Sequence, residues 1–277
     1  MNPCRWMAAL VAGAMMASLA MAQGAPKAAP AAAEPPDPPA KRSEWNGYER
    51  IDFYWAKRPC VLVIPKDAAP GKPWIWRTEF FDHQPQVDLA LLAKGWHVAY
   101  INAQNLYGSP KAMALFNELY AHLVIHAGLS KRVVLEGFSR GGLYALNFAA
   151  THPTRVAALY LDAPVVDLNS WPKKNAPKQW AEALEAYGVT EAAMENFKGN
   201  PINRIGMLAG SKIPIIAVCG DSDEVVPYAE NMGVIEKRYK EAGAPIQVIM
   251  KPGGKHHPHS LEDPTPVVEF LMNNARP

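Results

Sequence analysis

Apolar residues in this chain gather in short dense runs separated by longer stretches of mixed character. The runs at 60–64, 74–76, 98–101, 133–136, 157–161, 215–219 and 246–250 are rich in Val, Ile, Leu and Trp. Most are near-continuous rather than alternating, the pattern of strands covered on both faces. Between them lie segments with helical signals. Residues 86–94 end at Gly95, a good helix stop. Ser109-Pro110 offers an N-cap followed by proline in the first turn, and Gly128 a stop. Within that helix Met113, Phe116, Tyr120, Leu123 and Ala127 recur at helical spacing, a packing stripe that implies no cofactor. Residues 141–150, 229–241 and 264–274 complete the helices, and no repeat interrupts the series. Strands alternating with helices predict an α/β fold with a mainly parallel sheet. Residues 167–212 break the rhythm. They are polar, helix-prone and carry Trp171, Trp180 and Tyr187, which suits a small cap over the strand ends or ordinary packing.

The N-terminal region reads differently. Arg5 precedes an apolar run at 7–22 that closes with Ala20-Met21-Ala22 before Gln23. The run is short of the ~20 residues that span a bilayer. A positive start, a short apolar core and an A-x-A site predict a signal peptide over 1–22, and hence a periplasmic or secreted protein. Residues 23–43, with Pro35-Pro36-Asp37-Pro38-Pro39, predict a solvated linker. The folded domain is then expected over 44–277, beginning near Trp45.

Composition narrows the picture. Of 277 residues, 49% are hydrophobic and 19% charged, which excludes a disordered chain and leaves ample material for a core. The net charge of +2 gives no basic excess for nucleic acid. Three cysteines exclude a disulfide framework; Cys60 and Cys219 sit beside strand-like runs and are expected to be unpaired and structural.

The chemistry concentrates after the 133–136 run. There the chain reads Gly137-Phe138-Ser139-Arg140-Gly141-Gly142 and then turns helical. A G-x-S-x-G sequence between strand and helix puts a serine hydroxyl at the top of a sheet, with glycines where strand and helix must approach. The helix N-terminus supplies N–H groups for a developing oxyanion. The motif makes Ser139 the candidate nucleophile.

On these residues the chain resembles the α/β-hydrolase superfamily across roughly 50–275, in the manner of a secreted bacterial serine esterase or peptidase. That resemblance implies a mostly parallel eight-stranded sheet flanked by helices, with one antiparallel strand, to which residues 167–212 would add the small helical cap. It also implies the order Ser, then Asp or Glu, then His. After the 215–219 strand comes Gly220-Asp221-Ser222-Asp223-Glu224-Val225-Val226-Pro227, in which Asp223 takes the family's acid position; Asp162 and Asp221 are alternatives. After the 246–250 strand comes Lys251-Pro252-Gly253-Gly254-Lys255-His256-His257-Pro258-His259. The family's histidine loop points to His256 as base, with His257 and His259 as rivals.

The second oxyanion donor belongs on the loop after an earlier strand, Arg77-Thr78-Glu79-Phe80-Phe81-Asp82-His83-Gln84, and Thr78 or Glu79 is the expected donor. Arg140, next to the nucleophile, is expected to serve the oxyanion or an anionic substrate group; the alternative is an ion pair with a loop acid. Glucuronoyl esterases are similar locally, having Arg at this place in a G-C-S-R-x-G motif, although the cysteine is Phe138 here. The expected function is an exported serine hydrolase, an ester hydrolase before a prolyl-oligopeptidase-like peptidase, needing no cofactor. Its expected partner is a small-molecule or carbohydrate-linked ester, with no nucleic acid and no membrane once the signal is removed. Two other classes remain: a zinc hydrolase on His256, His257 and His259, and a binding protein that has kept the fold. His122 and His126 stand one helical turn apart, without the glutamate of an H-E-x-x-H site.

Overall fold

The computed structural model describes residues 37–195 and 197–275. The expected signal peptide, and the linker as far as residue 36, lie outside the described residues. Among the described residues nine strands form one sheet in the order β1-β2-β3-β5-β4-β6-β7-β8-β9. They are β1 Lys41–Trp45, β2 Tyr48–Trp55, β3 Arg58–Ile64, β4 Trp74–Arg77, β5 His97–Ile101, β6 Val133–Phe138, β7 Val156–Asp162, β8 Ile215–Gly220 and β9 Ile246–Lys251. From β5 through β4 to β9 every pairing is parallel, while β1, β2 and β3 pair antiparallel.

The sheet has one strand more than the expected eight, and β1, β2 and β3 pair antiparallel where one antiparallel strand was expected; the two strands without an apolar run of their own are those of the β1–β2 hairpin. β1 is charged and largely solvent-facing, and β2 alternates Ile51, Phe53 and Trp55 with other residues at mostly half-buried positions, so no dense apolar run announces either. β1 starts at Lys41, so ordered structure begins inside the stretch expected to be linker.

The helices are α1 Gln86–Leu92, α2 Pro110–His122, α3 Gly141–Thr151, α4 Pro177–Tyr187, α5 Glu191–Met194, α6 Ile205–Ser211, α7 Met232–Glu241 and α8 Thr265–Asn274. Ser109 caps α2 by accepting the Ala112 N–H, with Pro110 in the first turn. A π-turn over Leu123–Ala127 then ends at Gly128 in the left-handed region. The stripe on α2 packs as its spacing dictates. Trp76 stacks on Phe116 with ring centroids 4.6 Å apart and on Trp74 at 5.4 Å, and Met113, Tyr120 and Leu123 are buried beside them. Burying each such side chain contributes roughly 1.5–3 kcal/mol, so this face anchors α2 to the sheet.

Two apolar cores, one on each face of the sheet, hold the parallel strands so that β4, β6, β7, β8 and β9 all end at one edge. That edge is where an open parallel sheet offers its loops to a ligand. Residues 167–212 carry α4, α5 and α6. Their aromatic residues turn inward: Trp180 and Tyr187 are buried, and the Tyr187 hydroxyl donates to the Tyr107 carbonyl at 2.8 Å. The excursion therefore packs its aromatics rather than hanging them over a cleft. Cys60 and Cys219 are both buried and unbridged, and burial pushes each thiol up to about 12. Among the described residues no helix is long and apolar enough to cross a membrane.

Candidate active site

β6 ends in Phe138 and the chain reverses at once into α3, with Ser139 at the turn. Its φ of 48° lies in the left-handed region, uncommon for a residue with a side chain. The turn is over-determined around it. The Ser139 N–H donates to the Asp162 carbonyl at 2.9 Å, and the Val165 N–H donates to the Ser139 carbonyl at 2.8 Å. A Cβ on Gly137 would lie 3.1 Å from the Gly141 backbone, so glycine there lets strand and helix close up.

β8 ends at Gly220 and delivers Asp223; β9 ends at Lys251 and delivers His256. His256 Nε2 is 2.9 Å from Ser139 Oγ, and His256 Nδ1 is 2.7 Å from Asp223 Oδ2. Asp223 Oδ1 accepts the Val225 and Val226 N–H groups at 2.9 and 2.8 Å. Burial alone would raise this carboxyl; the hydrogen bonds from His256 and from those two N–H groups outweigh it and hold Asp223 below its ordinary range. The carboxylate in turn fixes the tautomer that leaves Nε2 as acceptor toward Ser139.

The rivals for these places are also located. Asp162 closes β7 and binds His259 instead, with Oδ1 2.7 Å from His259 Nδ1; its Oδ2 accepts the Ser260 N–H at 2.7 Å. Asp221 is exposed and accepts the Gly253 N–H at 2.8 Å, a loop tie rather than a contact to histidine. His257 is exposed on the rim.

The expectation for Thr78 is corrected. Its N–H donates to the Glu136 carbonyl at 3.0 Å, extending the β4–β6 ladder by one step. Its hydroxyl reaches the carbonyls of Glu136 and Gly141, both at 2.9 Å. A group so committed cannot turn to an oxyanion; Thr78 clamps the nucleophile turn to β4. Arg140 places its guanidinium on the turn rather than in the cavity: Nε is 3.5 Å from Glu79 Oε1, with Phe80 and Tyr107 rings at 5.3 and 5.9 Å. This is the ion-pair alternative for its side chain, while its backbone opens α3. Burial raises the Glu79 carboxyl, opposed by Arg140.

Sequence reasoning missed the bracing under the turn. Arg77 is fully buried, 2.9 Å from Asp88 and 3.1 Å from Glu136, with its guanidinium carbon 4.5 Å from the centre of the Phe138 ring. Its Nη2 donates to the His83 carbonyl at 2.7 Å, and Trp45 Nε1 donates to Asp82 at 2.9 Å. These two bonds hold a loop in which Phe80, Asp82 and Gln84 all have positive φ. Each such residue costs of order 1–3 kcal/mol, and strain of this kind collects at functional sites. The signal was available in principle, as an arginine closing an otherwise apolar strand.

Ser139 and His256 open on a cavity of about 480 Å³ walled by Phe80, Phe81, Tyr100, His83, His257 and His259, with Gln104 at its side. Among the described residues no carboxylate lines it.

A serine, a histidine and a carboxylate delivered from the ends of β6, β9 and β8 at one edge of this sheet define a serine hydrolase of the α/β-hydrolase fold. Residues 112–274 match the prolyl oligopeptidase family, and the chain belongs to it. No curated protein matches the chain. Among solved structures it is similar to Porphyromonas gingivalis dipeptidyl peptidase 4, at 15% identity over 83% of this chain and 36% of that one, with a TM-score of 0.64. It is likewise similar to a Pyrococcus horikoshii acylaminoacyl peptidase, at 14% identity over 85% and 41% of the two chains, with a TM-score of 0.60. A third is an S-formylglutathione hydrolase from Agrobacterium tumefaciens, at 16% identity over 84% and 95%, with a TM-score of 0.59. At these identities the likeness is one of fold, and the chain spans about two fifths or less of the two peptidases' lengths.

Proposed function

We propose that the protein is an exported carboxylic ester hydrolase that forms an acyl-enzyme on Ser139. The observation that carries this reading is the continuous relay from Ser139 through His256 to Asp223 at the floor of the cavity. His256 Nε2 takes the hydroxyl proton as Ser139 Oγ attacks the ester carbonyl carbon. The carbonyl electrons move to oxygen. The N–H of Arg140 and one N–H of the turn that follows Thr78 hold that oxyanion. Collapse breaks the bond to the leaving alkoxide, which takes the proton from His256 Nε2. Water then repeats the sequence against the acyl-enzyme and regenerates Ser139. Asp223 holds the Nδ1–H and stabilises the imidazolium formed at each transfer.

Ester cleavage is preferred over amide cleavage on two grounds. An alkoxide asks less of the general acid than an amine. Among the described residues the cavity lining also holds no carboxylate to receive the ammonium of a peptide N-terminus. Its size and its aromatic and imidazole walls suit a small ester, including one carried on a sugar ring. The second reading, a peptidase of the same fold, is favoured by the family match alone.

A panel of p-nitrophenyl acyl esters beside aminoacyl p-nitroanilides tests the choice. Faster turnover of esters is expected; a preference for the anilides overturns it. Fluorophosphonate should label Ser139, whereas a zinc hydrolase or a binding protein would stay unlabelled. Export rests on residues 1–22, and mass spectrometry of the mature protein should find an N-terminus near Gln23; an intact Met1 chain overturns that part.

A further inference from the structure

The cavity wall holds an arrangement that acyl transfer does not use in full. His256, His257 and His259 share one loop, and one ring nitrogen from each lies within 4.8 Å of the other two. Two of these imidazoles are already oriented from behind. His256 Nδ1 is 2.7 Å from Asp223, and His259 Nδ1 is 2.7 Å from Asp162, which leaves Nε2 as the remaining nitrogen of each ring. A carboxylate on the far nitrogen is the recurrent support of a metal-bound histidine, because it fixes both tautomer and ring direction. Asp162 is itself pinned by the Ser260 N–H at 2.7 Å and is 1% exposed, so it is a rigid support. Acyl transfer explains the Asp223–His256 pair. It gives no role to Asp162–His259, a second pair of the same geometry in the same wall.

We propose that His256, His257 and His259 form a binding site for a zinc-type divalent cation, and that its occupancy switches the hydrolase off. Three imidazoles without an oxygen ligand suit a borderline cation and not calcium or magnesium. Zinc–nitrogen bonds of about 2.0–2.1 Å bring tetrahedral ligands to roughly 3.4 Å apart. The ring nitrogens must therefore draw together, and the exposed His257 has room to turn inward. The switch follows from His256: its Nε2 lone pair cannot bind a metal and also take the Ser139 proton. The metal-bound enzyme has no general base. Here the cation blocks the reaction and supplies no reagent to it. The inhibition rests on the acyl-enzyme reading; the binding does not.

Two measurements on the tag-free full chain test this. Calorimetric titration with zinc chloride should give one strong site, and magnesium chloride none. His257→Ala should weaken zinc binding at least 10-fold, and Asp162→Asn by roughly 10–100-fold through its support of His259. His257 is exposed, so its variant remains informative if the buried Asp162→Asn chain fails to fold. His122 and His126, with ring centroids 4.8 Å apart on another face, are the competing zinc site, and His126→Ala should leave the titration unchanged. Fluorophosphonate labelling of Ser139 should stop with zinc and return with EDTA. Absence of zinc binding overturns the site, as does binding lost with His126→Ala but kept with His257→Ala. Zinc that binds without slowing the label overturns the switch. Failure of the metal-free enzyme to label counts against the acyl-enzyme reading alone, because the titration still decides the site.

Discussion

Asp162 and His259 stand 2.7 Å apart, the separation found between Asp223 and His256, yet it is the second pair whose histidine reaches the Ser139 hydroxyl. The two pairs sit at the ends of β7, β8 and β9, which are neighbours in the sheet. Distinguishing them is a matter of which histidine touches the nucleophile.

The pairs should separate on mutation. Ser139→Ala should cut turnover by roughly 10³–10⁶-fold, and adding His256→Ala to it little more, because the members act as a unit. Asp223→Asn should cost about 10⁴-fold in kcat through the wrong imidazole tautomer. Asp162→Asn should act first on stability, by about 1–3 kcal/mol, since the Ser260 N–H and His259 lose a charged acceptor. Steady-state kinetics beside thermal unfolding reads both. An Asp162→Asn enzyme that loses as much kcat as Asp223→Asn would mean that the acid is misassigned.

Gly220 couples the acid loop to the histidine loop. A Cβ there would lie 2.1 Å from the Gly254 carbonyl oxygen and 2.8 Å from that of Lys255, backbone that leads directly into His256. Gly220→Ala must push this segment away from β8. Overpacking of that kind costs about 1–3 kcal/mol, and a displacement near 1 Å at the chemistry costs on the order of 10²-fold in rate. Turnover of a p-nitrophenyl ester should fall by about that factor in protein that remains folded by circular dichroism. Unchanged turnover would show that the loop moves without carrying His256.

These cases explain what the sequence makes legible. Ser139, Asp223 and His256 could be placed because each follows a dense apolar run by a short fixed step, and runs of buried parallel strands are the strongest signal in the chain. Thr78 was misread because β4 effectively continues through its N–H, and one residue of strand end is below what a pattern resolves. β1 is an exposed edge of charged residues, and β2 only alternates Ile51, Phe53 and Trp55 with its neighbours at mostly half-buried positions, so neither presents a dense apolar run. The Asp162–His259 contact joins residues far apart in the chain, and nothing local in either segment requires it.

Glu136 should make stability depend on pH. It is fully buried in β6 beneath the nucleophile turn, and one guanidinium, Arg77, serves both it and Asp88. Burial pushes its carboxyl well above the ordinary 4.5, and Asp88 adds to the rise against the pull of Arg77. The folded state therefore keeps a proton that the unfolded chain releases. Its contribution is full below the unfolded pKa and is lost as pH rises toward the folded one. The slope approaches ~1.4 kcal/mol per pH unit for one proton. Denaturant midpoints of the wild type and Glu136→Gln, compared at about pH 5 and about pH 8, should show the wild type losing ground to the variant as pH rises. A constant difference would mean that Glu136 is ionised beside Arg77.

Arg140→Gln tests where the guanidinium acts. In the structure it faces inward to Glu79, which is 1% exposed, and lies against the Phe80 and Tyr107 rings. Glu79 and Phe80 belong to the turn proposed to hold the second oxyanion donor. The side chain therefore acts on the turn, and its loss should loosen a donor used by every substrate. The pair is long at 3.5 Å and Arg140 is partly solvated, so its effect belongs at the lower end of a charged contact, about 1.5 kcal/mol or roughly 10-fold in rate. Two esters of equal size, one neutral and one bearing a carboxylate near the scissile bond, separate the cases. Both should lose kcat/KM by the same factor, mainly in kcat, because the oxyanion exists only beyond the ground state. If the anionic ester alone loses rate, the guanidinium reaches the substrate, and the ion pair with Glu79 opens during turnover. If neither ester changes, the turn is held by Thr78 and Arg77 without it.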